Sequence, residues 1–134
     1  MSKEINITCP CCSKKQYTIC CQPLHLGIQP AQSPEQLMRS RYAAFAKTEV
    51  DYLIKTSHSS IQSGFTKASI KQWAIENDWQ KLEVIRASEN GTNGLVEFKA
   101  YFKSAQGKNE FHHELSGFVK EKNLWYYKTG EIMN

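Results

Sequence analysis

The spacing of apolar residues divides the chain into a helical part and a strand part. Between residues 34 and 77, apolar side chains recur every three or four positions, which is the period of a helix with one buried face. Met38, Tyr42 and Phe45 share such a face. The pattern predicts three helices, over residues 34–48, 50–56 and 67–77.

The first of these helices has a clear start signal. Ser33 can accept a hydrogen bond from the backbone, Pro34 suits the first helical position, and Gln36 stands at the second position of a capping box. We therefore expect the helix to begin at Pro34.

After Asn77 apolar and polar residues alternate, which is the period of a half-buried strand. The pattern predicts four strands, over residues 79–88, 95–104, 110–120 and 124–128. In the second strand, Val96, Phe98 and Ala100 lie on one face and charged side chains on the other. Helices followed by consecutive strands are typical of an α+β fold, so we expect a curved antiparallel sheet with the helices packed on one face.

Composition and charge exclude several classes of protein. The chain has 134 residues, of which 40% are apolar and 22% charged, so it can form one domain with its own core, with room for a small appendage. No apolar run is long enough to span a membrane, and the first residues lack a signal-peptide core, so we expect a cytoplasmic protein. The net charge of +4 comes from lysines scattered among acidic residues, which argues against nucleic acid as a partner.

All five cysteines lie between residues 9 and 21, and they are the strongest chemical signal in the sequence. A single proline separates Cys9 from Cys11, and Cys20 and Cys21 are adjacent further along the chain. Zinc prefers four ligands in a tetrahedron, and two close pairs joined by a short loop can surround one ion. We therefore expect these four cysteines to bind a structural zinc ion, because four thiolates leave no open position for a substrate.

Other roles for these thiols remain open. They could be ordinary buried thiols or a redox-sensitive group, although Cys20 and Cys21 could bridge each other only through a strained ring. Cys12 follows Cys11 directly, so it is either an alternative ligand or a free thiol open to modification. His25, four residues beyond Cys21, is a further alternative ligand.

Residues 9–21, with the sequence C-P-C-C-S-K-K-Q-Y-T-I-C-C, resemble the SEC-C motif known from the translocation ATPase SecA. This chain has Cys12 and Lys14 where the motif has glycine. The resemblance extends to L-M-R-S-R-Y-A-A-F at residues 37–45 and to E-L-S-G-F at residues 114–118. On these segments the chain resembles the YchJ family of bacterial SEC-C proteins.

The resemblance implies a zinc-binding SEC-C motif over residues 1–27 and a nuclear transport factor 2-like domain over residues 28–134. That fold is a cone of helices packed against a strongly bent sheet. The family implies no established enzymatic activity. We therefore expect a zinc-binding protein that contacts a protein partner through this zinc-binding motif or binds a small molecule in the cone.

A hollow in the cone would be lined by residues of the first helix and the third strand. The candidates are Arg39, Arg41, Tyr42, His112, Glu114 and Ser116. One of the two arginines would point inward and pair with Glu114 or bind an anionic ligand, and otherwise both lie on the helix surface. His112 and Glu114 share one strand face and would form an acid–base pair in the alternative function, an enzyme that also uses Asp51.

Overall fold

Helices precede strands along the chain, which confirms the predicted α+β order. The computed structural model describes residues 7–133; the outer ends of the two predicted units, residues 1–6 and 134, lie outside the described residues. After a short 3₁₀ helix at Tyr17–Ile19, the helices are α1 (Gln22–His25), α2 (Pro34–Lys47), α3 (Val50–Lys55), α4 (Ser59–Gln62) and α5 (Lys67–Glu76). The strands are β1 (Asp78–Asn90), β2 (Asn93–Lys103), β3 (Asn109–Glu121) and β4 (Leu124–Ile132).

Helix α2 begins where its cap residues predict. The Ser33 side chain accepts a hydrogen bond from the backbone N–H of Gln36 across 3.1 Å, and Pro34 is the first helical residue. The Gln36 side chain accepts from the backbone of Gln32, one residue earlier than a capping box requires. The helix ends at Lys47, one residue before the predicted end, because Thr48 has a left-handed backbone.

The four strands form one antiparallel sheet in the order β1-β2-β3-β4. Residues that pair across β1 and β2 include Leu82 with Ala100, and β2 pairs Val96 with Ser116 on β3. The register shifts twice in β1, and once more where β3 meets β4. Such bulges bend a strand and increase its twist, which gives the sheet a concave face for the helices.

The hydrophobic core lies between α2 and this concave face. Leu37 and Tyr42 of α2 pack with Val96, Phe98 and Phe118 of the sheet in one cluster of buried residues. The alternation in β2 is confirmed, because its predicted inner residues are buried. Among the described residues, no helix is both long and apolar enough to cross a membrane.

Strand β4 and three short helices differ from the sequence prediction. Strand β4 continues to Ile132, because its backbone pairs with β3 beyond the apolar run that marks its start. The 3₁₀ helix, α1 and α4 were not predicted, since three or four residues carry no readable period. Helix α4 begins after His58, whose ring accepts a hydrogen bond from the backbone of Ser60.

Candidate metal centre and cone cavity

Four cysteine sulfurs meet in the N-terminal knuckle, which we define as residues 8–25. The Sγ atoms of Cys9, Cys11, Cys20 and Cys21 all lie within 4.8 Å of one another. Cys20 Sγ is 3.6 Å from that of Cys11 and 3.9 Å from that of Cys21. In a tetrahedral thiolate site with zinc–sulfur bonds of about 2.3 Å, the sulfurs stand about 3.8 Å apart. The donor set and its spacing therefore fit one zinc-sized soft cation.

Local backbone structure brings the two pairs together. A short hairpin carries the first pair: Cys9 N–H donates to the Lys15 carbonyl across 2.8 Å, and Thr8 bridges Gln16. The second pair lies between the 3₁₀ helix and α1, with Cys20 ending the first and Cys21 beginning the second. Both pairs thus face one centre from rigid turns.

The loop between the pairs holds two residues in the left-handed region. Cys12 has φ of 67° and Lys14 has φ of 72°, and these are the positions where the SEC-C pattern has glycine. Glycine adopts such angles freely, whereas a side chain with a Cβ is strained there by about 1–2 kcal/mol. The knuckle therefore keeps a conformation suited to glycine without having glycine.

Hydrogen bonds within the cluster set its protonation. Thiols of Cys21 and Cys9 stabilise the Cys11 thiolate and hold its pKa far below the usual range. The same bonds raise the pKa of Cys9 to about 12 and strongly raise that of Cys21, because each keeps its proton to donate to Cys11. A divalent cation that binds here must displace these protons, so metal binding releases protons and weakens in acid.

His25 lies beside the cluster and is not one of the four ligands that the structure brings together. Both of its ring nitrogens have partners: Nδ1 lies 2.6 Å from the Tyr17 hydroxyl and Nε2 lies 2.8 Å from the Ser40 carbonyl oxygen. Burial lowers the pKa of His25, which favours the neutral ring. Since a carbonyl can only accept, Nε2–H donates to Ser40 and Nδ1 accepts from Tyr17.

Further contacts fix the knuckle to the helices and sheet. Arg39 donates from Nη1 to the Cys11 carbonyl oxygen across 2.7 Å, and the Leu82 N–H of β1 donates to Cys12 Sγ across 3.3 Å. Ala43 of α2 is fully buried against the cysteines. The knuckle is thus a packed part of the whole molecule rather than a detached appendage.

A cavity of about 400 Å³ lies between the helices and the concave face of the sheet. Five of the six predicted pocket residues line it, namely Arg41, Tyr42, His112, Glu114 and Ser116. Arg39 does not, because its guanidinium bonds to Cys11 and pairs with Glu35 across 3.0 Å. Asp51 does not reach the cavity either: it is exposed and pairs with Lys67 across 2.9 Å.

Aromatic side chains form much of the cavity wall. Those lining it are Tyr42, Phe45, Phe65, Trp73, Trp79, Phe98 and Tyr127. Trp79 is the centre of this group, with ring centroids 5.7 Å from Phe45, 6.0 Å from Tyr42 and 6.0 Å from Trp73. Trp73 is 44% exposed, so part of the wall is open to solvent.

Arg41 is a buried cation in this cavity. Its Nη1 donates to the Leu53 carbonyl across 2.9 Å, to Thr56 Oγ1 across 2.7 Å and to Ser57 Oγ across 3.3 Å. Its guanidinium carbon lies 4.6 Å from the centre of the Tyr127 ring. Burial lowers the pKa of Arg41 to about 10, so the group stays charged at neutral pH.

Glu114 is held by three donors on the cavity floor. Ser116 Oγ and Tyr127 Oη donate to its Oε2 across 2.5 and 3.1 Å, and His112 Nε2 lies 2.7 Å from its Oε1. Burial raises the pKa of Glu114, but the bonds from His112 and Ser116 outweigh burial and hold it below its ordinary value. The pairing of His112 with Glu114 along one strand face is as the period of two predicts.

Sequence reasoning missed the residues that hold these charges. Thr56 and Ser57 follow α3 and anchor Arg41, and nothing in the local pattern distinguishes them from other polar residues at a helix end. Tyr127 touches both Arg41 and Glu114. The sequence does indicate an inward position for Tyr127, because the period of two puts it on the same face of β4 as the buried Trp125.

Comparisons with known proteins agree with this architecture. A family model described as YchJ, middle NTF2-like domain, matches residues 33–130. A UPF0225 protein from Vibrio vulnificus is 45% identical over 125 residues, which cover 92% of this chain and 74% of that protein. A UPF0225 protein from Geobacter sulfurreducens is 36% identical over 125 residues, which cover 91% of this chain and 77% of that protein.

Two solved structures of SEC-C motif containing proteins are also similar. The solution structure of one from Rhodopseudomonas palustris has a TM-score of 0.90 at 40% identity, covering 96% of this chain and 100% of that chain. The crystal structure of one from Psychrobacter arcticus has a TM-score of 0.82 at 36% identity, covering 95% of this chain and 83% of that chain. With a family model over most of its length and relatives above 30% identity, the chain belongs to the YchJ family of UPF0225 proteins, with an NTF2-like fold and an N-terminal SEC-C-type cysteine cluster.

Proposed function

We propose that this protein binds a small molecule in its cone cavity and that the knuckle is a structural zinc site. The observation that carries the proposal is the cavity itself, which combines aromatic walls with a few buried polar groups. Concave, mostly apolar pockets with a small number of fixed polar groups are the usual form of small-ligand sites. A volume of about 400 Å³ is within the range of such sites.

The ion that we propose for the knuckle is Zn²⁺, held by Cys9, Cys11, Cys20 and Cys21. Four sulfur donors at this spacing favour a closed tetrahedral site. Such a site supplies no catalysis, since no ligand position stays open for a substrate. Its contribution is to cross-link a segment that otherwise has a very small core.

A location in the cytoplasm is part of the same proposal. In a reducing compartment thiols stay reduced and can bind metal instead of forming disulfides.

An enzyme that uses His112 is the second candidate, and one observation favours it. Nε2 of His112 lies 2.7 Å from Glu114 Oε1, while its Nδ1, for which no partner is found among the described residues, is left for a substrate beside the cavity. Glu114 itself is a poor base, because its pKa is lowered rather than raised towards neutrality. Asp51, the remaining acid of the predicted enzyme, lies outside the cavity.

A protein partner of the knuckle also remains a proposal. Ile19 and Leu26, which lie in and next to the knuckle, are 69% and 65% exposed and are the side chains that a partner would cover. Replacing both with serine should abolish partner binding in a pull-down without releasing the metal. Binding that is unchanged by these substitutions and by a chelator would contradict this part of the proposal.

Ligand binding can be tested with the intrinsic fluorescence of Trp73 and Trp79. N-phenyl-1-naphthylamine, a neutral aromatic probe, should quench this fluorescence as it fills the cavity. Ala100 is buried on the cavity wall, so Ala100→Leu should occupy the space and weaken probe binding at least about tenfold. The matched control is Ala87→Leu, the same change at an exposed position of β1. Equal binding by both variants would contradict a ligand site in the cavity.

A further inference from the structure

Arg41 is a buried charge that lacks an ion-pair partner within the part of the chain that the structure describes. The three acceptors that hold Nη1 are a carbonyl and two hydroxyls, all of them neutral. Among the ion pairs of residues 7–133, none involves Arg41, whereas Arg39 of the same helix pairs with Glu35. A buried charge is costly unless it is paired, so this arrangement favours an anion from outside the chain.

One edge of the Arg41 guanidinium has no hydrogen-bond partner among the described residues. The hydrogen bonds of Arg41 to described residues all come from Nη1, which leaves the N–H groups of Nε and Nη2. Neither nitrogen is completely buried without a hydrogen-bond partner. Among the described residues, Trp125 Nε1 is the only side-chain nitrogen or oxygen in that state. Because Arg41 lines the cavity, an incoming ligand can reach these donors. Nε and Nη2 lie on one edge of the planar group and can bind a carboxylate through two parallel hydrogen bonds.

Glu114 does not remove this preference for an anion. Both of its oxygens are already accepting hydrogen bonds from His112, Ser116 and Tyr127. Tyr127 contacts both charged groups, with its hydroxyl on Glu114 and its ring face against Arg41. The Glu114 carboxylate attracts Arg41 from beyond ion-pair distance, and its ion-pair partner is His112, so the Arg41 charge stays available to an anion.

The walls define the rest of the ligand. Trp79 and Trp73 cross at 71°, with centroids 6.0 Å apart, and Trp73 is partly exposed. Flat apolar groups pack favourably against such rings. Resting on the function proposed above, we infer that the natural ligand is an organic anion with an aromatic or similarly flat apolar body, whose carboxylate or equivalent acidic group binds Arg41 while its body lies against Trp73 and Trp79.

Two probes that differ only in charge test this inference. Naphthalene-2-carboxylate and naphthalene-2-carboxamide have the same ring system, and binding of both is measured by quenching of tryptophan fluorescence. The wild-type protein should bind the carboxylate at least about tenfold more tightly, which is the size of one good charge-assisted contact. Arg41→Gln should lose this preference while still binding the carboxamide. Arg39→Gln removes an arginine two residues away and outside the cavity, so it should keep the preference.

The outcomes separate this inference from the function on which it depends. Equal binding of the two probes by the wild-type protein would overturn the anion inference and leave a ligand-binding cavity. If neither probe binds and Ala100→Leu has no effect on N-phenyl-1-naphthylamine binding, the anion inference and the proposed ligand-binding function are both overturned. The comparison of the two probes on the wild-type protein requires no variant, so it tests the inference even if Arg41→Gln fails to fold. Carboxylate binding that Ala100→Leu leaves at full strength would place the anion elsewhere and overturn the inference.

Discussion

The His25 ring donates a hydrogen bond from Nε2 to the carbonyl oxygen of Ser40 across 2.8 Å, and this bond joins the cysteine knuckle to the helix that lines the cone cavity. The carbonyl of Ser40 lies in the middle of α2, one residue before Arg41. On its other side the ring accepts from Tyr17, within the knuckle. The His25 imidazole is therefore one of the groups that place the metal centre against the helix that forms the cavity wall.

Replacing His25 should destabilise the whole protein. His25→Phe keeps a ring but removes both hydrogen bonds, leaving the buried Tyr17 hydroxyl without an acceptor. The expected loss is about 1–3 kcal/mol in the free energy of unfolding, measured with urea. Tyr17→Phe, which removes only one of the two bonds, should cost less. A loss below about 0.5 kcal/mol in the His25 variant would contradict this role.

The same histidine should make stability depend on pH. Its folded pKa is lowered by burial, so below about pH 6.5 the unfolded chain binds a proton that the folded chain does not. Stability from His25 is therefore complete above that pH and declines as the pH falls towards the folded pKa. The difference in unfolding free energy between wild type and His25→Phe should shrink over this window. A difference that grows on acidification would contradict the assignment of a neutral ring.

The cysteine cluster should bind one metal ion per chain through four of the five thiols. Cys11→Ser removes a fully buried ligand and should abolish stoichiometric zinc in protein purified without added metal. Cys12→Ser is the matched control at the adjacent position, where the sulfur is exposed and accepts from Leu82 instead of joining the cluster. It should retain zinc. Loss of metal from the Cys12 variant alone would show that Cys12 is the ligand.

Cys12 should also be the one thiol that reacts while the ion is bound. It is the exposed cysteine of the five, and the other four are buried or half-buried. Iodoacetamide should add one label per metal-loaded chain, located at Cys12 by peptide mass spectrometry, and further labels only after a chelator is added. Protection of Cys12 in the loaded protein would exclude a thiol switch at this position.

Most of the fold could be predicted from the sequence, because each main element has a strong local signal. Ser33 and Pro34 marked the start of α2, and the alternation around Phe98 marked the inner face of β2. The C-terminal half of β4 was missed because Thr129 and Gly130 carry no apolar signal; it forms because its backbone pairs with β3. Pairing with a neighbouring strand is set by the context of the sheet and does not show in local periodicity.

The candidate site was predictable in type but not in detail. Clustering of the cysteines and their spacing identified the four sulfurs that the structure brings together. Arg39 and Arg41 are two residues apart on one helix, and their local sequence could not say which one points inward. The difference is decided by distant partners, since Cys11 holds Arg39 and Thr56 holds Arg41.

Restoring glycine to the knuckle loop should stabilise the protein. Lys14 has φ of 72°, so Lys14→Gly removes the Cβ strain at that angle and should raise the free energy of unfolding by about 1 kcal/mol. Lys15→Gly is the control, because Lys15 is not among the residues of positive φ and glycine there only adds freedom to the unfolded chain. The two variants should move stability in opposite directions in urea titrations of the metal-loaded protein. The same sign in both would show that the loop is not strained at Lys14.

Gly130 should be intolerant of any side chain, because a Cβ at this position would collide with the Tyr127 hydroxyl and lie 2.5 Å from a carboxylate oxygen of Glu114. Gly130→Ala must therefore push apart the groups that form the cavity floor, and we expect a loss of about 1–3 kcal/mol in stability. Binding of naphthalene-2-carboxylate should weaken as well, because Tyr127 also packs against Arg41. Tyr127→Phe removes the nearest of the colliding atoms, so in that background Gly130→Ala should cost less. Costs that are additive in a double-mutant cycle would mean that the alanine is accommodated without moving Tyr127.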